Sequence, residues 1–329
     1  MSKINKHIEI VRTSNSPFSS MGLKSCDMIQ SVLSDYYEMV GVTTVNNMND
    51  LELLVLKSPD LVFLGLKRLP FDSNSHVLAQ NVWMSEYLQD SGINYTGSTQ
   101  AAIAMDFDKE NAKLRVQQAG LPTAEFFTTL PGRHKSAADL PIDFPLFVKP
   151  LDTGGGKGVG GDSVVHTFKE FEAKVESIFI EFGSRSMVES YLTGREFSVA
   201  ILDSGTSDGL IVMPVELLTD KDSNGHMILG RQVKGDDVER VIAVSDKAVR
   251  ESVTSLAKDV YRALGARDLG RIDIRMDNNG KAYFLEANLV PGLADNEFVS
   301  YFNRACMINE GMEYTDILLK IVGLGLARN

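Results

Sequence analysis

Cysteine is scarce. The only two in 329 residues, Cys26 and Cys306, show neither metal-ligand spacing nor a disulfide framework, which fits a reducing compartment. Positive charge is also short: 33 Lys and Arg against 44 Asp and Glu leave a formal charge of −11. That balance argues against nucleic acid or an anionic membrane as the main partner, but not against nucleotides, which need only a local basic cluster. The opening residues, MSKINKHIEIV, lack an apolar signal core, and no apolar run reaches the roughly 20 residues of a membrane span. Repeats and low-complexity segments are missing too, so a soluble, cytoplasmic chain is expected. The apolar share of 43% is enough for a sizeable core divided between two or three domains.

Residues 8–11 (IEIV) and 61–66 read as buried strands, with helices over about 22–38 and up to Gly92 between and after them. This alternation predicts a parallel α/β unit ending near residue 105. Ligands would collect at the carboxyl ends of its strands, in the loops Arg12 to Ser20 and Lys67 to His76. Residues 108–119 predict a helix started by Asp106 or Asp108 and stopped by Gly120, with Lys109 in its first turn. A cation there gains nothing from the helix dipole, which hints at a bound anion.

The most informative stretch is GRIDIRMDNNGKAYFLEANLVPGLADN, residues 270–296. Two alternating runs flank Asp277-Asn278-Asn279-Gly280, so a β-hairpin is expected. If Asn279-Gly280 forms a two-residue type I′ turn, Asp273 lies opposite Glu286 and Arg271 opposite Asn288. Alternation then puts Arg271, Asp273 and Arg275 on one face with Phe284, Glu286 and Asn288. Opposed carboxylates repel unless a cation sits between them. Asp273, Glu286 and Asn288, with no thiol or imidazole nearby, suit Mg²⁺ or Mn²⁺, whose shell a nucleotide's phosphates would complete. A solvated hairpin neutralised by Arg271 and Arg275 would use the same residues, so the rest of the chain has to decide.

In FPLFVKPLDTGGGKGVGGDSVVHTF, residues 144–168, a strand carrying Lys149 leads into a loop with five glycines among residues 154–160, then into a strand at Ser163 to Val165. Backbone N–H groups at Gly155, Gly156 and Gly158, bracketed by Lys149 and Lys157, would make a phosphate cradle; a flexible hairpin loop is the alternative. Residues 156–161 match GxGxxG, but a strand follows rather than a helix, and Lys157 precedes Gly158 rather than Ser or Thr. Dinucleotide and Walker readings therefore fail. Beyond a helix at 168–181, residues 187–201 (MVESYLTGREFSVAI) are extended and carry Glu189 and Glu196. Residues 219–239 look like a mobile loop with Arg231 and Lys234, 246–264 like an amphipathic helix beside the hairpin, and 312–327 like a last helix.

Taken in order, these residues resemble the ATP-grasp superfamily and, within it, the D-alanine–D-alanine ligase family over nearly the whole chain. SGINYTGS (91–98), QQAGLPT (117–123), YLTGREFSVAIL (191–202) and, above all, GRIDIRM with YFLEANLVPG carry the likeness. The resemblance implies an α/β (α+β) fold with an N-terminal α/β substrate domain at 1–105, a central lid domain at 106–189 and a C-terminal catalytic domain at 190–329. The antiparallel sheets of the last two would sandwich ATP. It further implies that Lys109 and Lys149 contact phosphates, that Glu189, Tyr191 and Leu192 meet adenine and Glu196 ribose, and that Asp273, Glu286 and Asn288 hold Mg²⁺. Arg271, with backbone near Gly292, would steady developing charge. The implied reaction is ADP-forming amide synthesis through an acyl phosphate, and a homodimer is implied as well.

Departures bear on substrate. The family's N-terminal segment, with a glutamate for the first amino acid's amine, is here RTSNSPFSSMG, which has no acid and offers Ser16 instead. LKRLPFDSN replaces a histidine-containing loop. The family's lysine-tyrosine pair falls at Arg231 and Gln232. Where the family binds the second substrate's carboxylate with a small hydroxyl residue, this chain has Asn296 and Glu297, and an acid there disfavours a free carboxylate. These differences point to an amino-acid ligase of specialised metabolism. A D-alanine–D-alanine ligase of cell-wall synthesis and a non-catalytic nucleotide-binding protein are the alternatives.

Overall fold

The computed structural model describes residues 2–14, 20–70, 81–154, 156–206, 209–221, 225–230, 239–295 and 299–328. Ser16, Gly155, Arg231, Gln232, Lys234, Asn296 and Glu297 lie outside them. The first part contains β1 (Ile4–Arg12), α1 (Leu23–Ser34), β2 (Tyr37–Thr44), α2 (Met48–Leu56), β3 (Leu61–Leu64), β4 (Arg68–Pro70), β5 (Asn81–Trp83), α3 (Met84–Asp90) and one-turn α4 (Gln100–Ile103). Strands β2-β1-β3 form the expected parallel sheet, with β4 and β5 as a separate ribbon. Sequence patterning missed β2. It is an edge strand with Glu38 and Met39 exposed, so it shows no continuous apolar run.

Next come α5 (Lys109–Gln118), β6 (Phe126–Thr129), β7 (Leu146–Pro150), β8 (Val164–Val165), α6 (Phe168–Phe182) and β9 (Ser186–Ser190). The strands make an antiparallel sheet in the order β6-β9-β7-β8. Helix α6 opens with a capping box in which Thr167 and Glu170 satisfy each other's backbone N–H groups. It buries Phe171, Val175 and Ile178 against Leu146, Val148 and Val188.

The third part holds β10 (Glu196–Asp203), β11 (Leu210–Leu218), β12 (Arg240–Ala243), α7 (Lys247–Ala263), β13 (Leu269–Met276), β14 (Ala282–Asn288), α8 (Tyr301–Glu310) and α9 (Tyr314–Leu326). Its antiparallel sheet runs β12-β11-β10-β13-β14. Helix α7, N-capped by Asp246, buries Val253, Leu256, Ala257 and Val260 at helical spacing against Ile272, Ile274 and Phe284. Two packing facts position the site. The α5 residues Ala112 and Val116 enter this same core. On the other face of the sheet, Ala200, Leu202 and Val215 share a core with Ile8, Ile10 and Phe63 of the first unit. No helix among the described residues is long and apolar enough to cross a membrane.

The hairpin corrects one expectation and keeps its consequence. The turn is a three-residue loop: Gly280 N–H donates to Asp277 O at 3.2 Å, Asp277 N–H to Lys281 O at 3.0 Å, and Gly280 alone takes a left-handed φ of +80°. The Asp277 carboxylate selects this form by accepting from the N–H groups of Asn279 and Lys281, each at 2.9 Å. Near the turn the pairs are therefore Met276–Ala282, Arg275–Tyr283 and Ile274–Phe284. A bulge at Leu285 then restores Asp273–Glu286 and Arg271–Asn288, the pairs expected from the wrong turn. Phe284, expected on the charged face, is instead fully buried beneath α7.

Candidate functional site

Alternation along β13 turns Ile272, Ile274 and Met276 into the α7 core and leaves Arg271, Asp273 and Arg275 on the other face. The neighbouring strands extend that face. Glu196 and Ser198 of β10 pair with Arg275 and Asp273, and Glu286 and Asn288 of β14 pair with Asp273 and Arg271. Arg271 grips Asp273 with two parallel bonds of 3.0 Å, while Ser198 Oγ donates to Asp273 Oδ1 at 2.7 Å. Arg275 donates to Glu196 Oε2 and to Met227 O, each at 2.9 Å, and lies over the Tyr191 ring at 5.5 Å. Lys67, from the loop after β3, donates to Asn288 Oδ1 at 3.1 Å and to Asp106 Oδ2 at 2.7 Å.

The four-stranded sheet supplies the facing wall. Glu189 of β9 is buried between Lys113 and Lys149, each ammonium 2.5 Å from one carboxylate oxygen. Burial opposes its ionisation, but the two lysines outweigh that and hold its pKa at about 2. For Lys113, burial wins and pushes the ammonium below its ordinary range. For Lys149, burial is outweighed by Glu189 and Glu286, and its pKa is raised. Sequence reading missed Lys113, although its place four residues after Lys109 in α5 sets it on the same helix face. Lys109 is also buried, which lowers its pKa despite Glu286; its ammonium is held by the backbone carbonyls of Leu151 and Thr153. It thereby braces the base of the glycine loop. At Gly158 that loop takes φ +72°, and a Cβ there would stand 2.5 Å from Pro150, so only glycine fits.

Between the walls is one cavity lined by Lys109, Lys149, Glu189, Glu196, Asp273 and Glu286, by Gly156 and Lys157 of the loop, and by Tyr191, Leu192, Ile228 and Leu229 on its apolar side. Most of the residues singled out from sequence thus meet in a single space. Gly158, Arg271 and Asn288 are not among the lining residues, though Arg271 and Asn288 share the Asp273 face. Gly292 lies against Ser20 of the first unit. Segment 225–230 belongs to a stretch whose sequence shows only polar loop character, yet Ile228 and Leu229 line the cavity and Arg275 bonds Met227. Tyr191 and Phe147 lie nearly parallel, with centroids 6.3 Å apart. The cavity therefore has an apolar, aromatic end, two buried lysines beside a glycine loop, and an acidic end opposite them.

A family profile described as "D-ala D-ala ligase C-terminus" matches residues 115–323. The D-alanine–D-alanine ligase of Hydrogenovibrio crunogenus is 27% identical over 240 residues, covering 73% of this chain and 72% of that protein. The ligase of the same name from Desulforudis audaxviator is 30% identical over 243 residues, covering 73% and 76%. Among solved structures, D-alanine–D-alanine ligase from Bacillus anthracis complexed with ATP superposes with a TM-score of 0.75 at 20% identity, covering 98% of both chains. VanG D-Ala:D-Ser ligase from Enterococcus faecalis gives 0.67 at 19% identity, covering 98% of this chain and 99% of that one.

Proposed function

The chain belongs to the D-alanine–D-alanine ligase family, and on that footing we propose that it joins the carboxylate of an amino acid to an amine with conversion of ATP to ADP. One observation carries the reading: the Asp273–Glu286 pair of the five-stranded sheet, Lys149 of the facing four-stranded sheet and Lys109 of α5 border the same cavity, both lysines buried. The apolar end with Tyr191 and Leu192 suits adenine, Glu196 suits ribose hydroxyls, and the lysines and glycine loop suit the phosphates.

Among the described residues no three His, Cys, Asp or Glu side chains cluster as a metal site. Two carboxylates and the Asn288 amide oxygen do fit a hard divalent cation that takes its remaining ligands from water and phosphate. Asp273 and Glu286 stand directly opposite each other, a pairing that a cation would relieve. Asp273, Glu286 and Asn288 would hold Mg²⁺ or Mn²⁺, which when bound supplies charge neutralisation at the transferred phosphoryl group.

In the proposed reaction a carboxylate oxygen attacks the γ-phosphorus, giving an acyl phosphate and ADP. The lysines would bind the phosphate oxygens, and Arg271, locked to Asp273, would steady the developing charge. An amine then attacks the acyl carbon, loses a proton and expels phosphate, leaving an amide. The relatives' name makes D-alanine the first acid and amine to test. The absence of any acid from Arg12 to Gly22 supports a different pair, in specialised metabolism. The division at 1–105, 106–189 and 190–329 belongs to the same proposal, supported by the separate core of the four-stranded sheet.

The test is ADP release with Mg²⁺ over D- and L-amino acids, singly and in pairs, beside Glu286→Gln. Release that requires a particular pair and disappears in the variant is expected. ADP binding without turnover for any pair would refute the ligase reading in favour of a nucleotide-binding protein.

A further inference from the structure

Linked to Arg271 through Tyr301, and outside the nucleotide cavity, is a buried acid that the reaction as described does not use. Glu239, just before β12, is only 5% exposed. Its Oε1 accepts a hydrogen bond from the Tyr301 hydroxyl, while its Oε2 is buried and has no hydrogen-bond partner among the described residues. Tyr301 opens α8, and its ring lies 5.5 Å from the Arg271 guanidinium. Burial together with Glu239 pushes the phenol far above its ordinary range, so it stays a donor; the charges of Arg271 and Asp273 also act on it. A structural acid would use both oxygens, because a buried carboxylate oxygen left unpaired is costly. One carboxylate and one phenol are too few ligands for a metal. An ammonium group is the complement, since it brings positive charge and three donors and has no need to accept.

We propose that Glu239 is the counter-ion for the α-ammonium of the amino acid whose carboxylate is activated, with Tyr301 holding the acid beside Arg271. This rests on the ligase reading. The activated amino acid keeps its ammonium protonated through the reaction and so needs a fixed anion. Its carboxylate, one carbon away, belongs on the Arg271 side.

The test traps the acyl phosphate with hydroxylamine, which is uncharged at neutral pH: its nitrogen attacks the acyl carbon, and phosphate leaves as the hydroxamate forms. This reads carboxylate activation without a second amino acid. The acids are D- and L-alanine and the amino acids that release ADP, compared with propionate and lactate, which lack the ammonium. Glu239→Gln should raise KM for the amino acid by about tenfold or more, the loss expected of a charge-assisted bond, with a smaller change in kcat. It should leave KM for propionate and the affinity for ADP unchanged. Glu239→Asp should recover part of the loss, and Tyr301→Phe should show a smaller one. An unchanged amino-acid KM in Glu239→Gln, or an equal rise for propionate, overturns the assignment. So does a defect seen only when an amino acid replaces hydroxylamine as nucleophile, which would put Glu239 at the second substrate. Wild-type protein that forms no hydroxamate from any acid refutes the ligase reading itself.

Discussion

Replacing Glu189 by Gln should destabilise the protein far more than replacing Lys113 by Met, although each change removes one member of the same buried triad. Glu189 is 2% exposed, Lys113 0% and Lys149 7%, so none of the three can turn to water. Glu189→Gln leaves two buried ammonium groups without their shared anion, and stranding a buried charge costs about 3–5 kcal/mol. Lys113→Met leaves a one-to-one pair of Glu189 with Lys149. It loses Lys113's bonds to Thr123 Oγ1 and Phe284 O, at 2.7 and 3.3 Å, but puts an apolar chain in an apolar setting, for a net cost of about 1–2 kcal/mol. For a chain of this size the first change should lower Tm by roughly 4–7 °C and the second by about 1.5–3 °C. Calorimetry on nucleotide-free protein decides between them. A Glu189→Gln Tm within about 2 °C of wild type, or a larger fall for Lys113→Met, would refute the account of the triad.

The same carboxylate predicts an acid-limb signature. Its pKa is held at about 2 in the folded state against an ordinary 4.5, so its contribution is present above 4.5 and lost as pH falls from there to about 2. Urea midpoints over that window should fall less steeply in Glu189→Gln than in wild type, and parallel slopes would contradict the assignment. Arg275→Met removes the bonds to Glu196 and to the Met227 carbonyl and the contact over the Tyr191 ring at once. KM for ATP should rise about tenfold with kcat within about threefold, and steady-state kinetics showing the reverse split would contradict a nucleotide-side role. Gly158→Ala, strained at positive φ and pressed against Pro150, should weaken ADP binding measured by calorimetry, with Gly154→Ala, where a Cβ meets nothing within 4 Å, as the tolerant comparison.

The Asp273–Glu286 face was legible in the sequence because strand alternation is a local property. It survived a misjudged turn only because the Leu285 bulge compensated for the one-residue difference. The turn itself was not legible, since Asn279-Gly280 suits a type I′ hairpin until the Asp277 side chain captures two N–H groups. Lys113 and Ser198 sat at spacings that could have found them, four residues from Lys109 and two from Glu196. Their partners Glu189 and Asp273 are set by tertiary packing, which periodicity does not reveal. Glu239 and Tyr301 are 62 positions apart, and Glu239 ends a polar stretch that reads as loop, so nothing local joins them. The edge strand β2 was lost for a related reason, because half-exposed strands carry no apolar run.

Oxygen-18 in the carboxylate of the activated substrate tests the central claim most directly. If that carboxylate attacks the γ-phosphorus and the amine later expels phosphate from the acyl carbon, each phosphate released leaves with one labelled oxygen, and mass spectrometry of the phosphate shows it. Unlabelled phosphate accompanying amide formation would contradict acyl-phosphate chemistry at the Arg271–Asp273–Glu286 face.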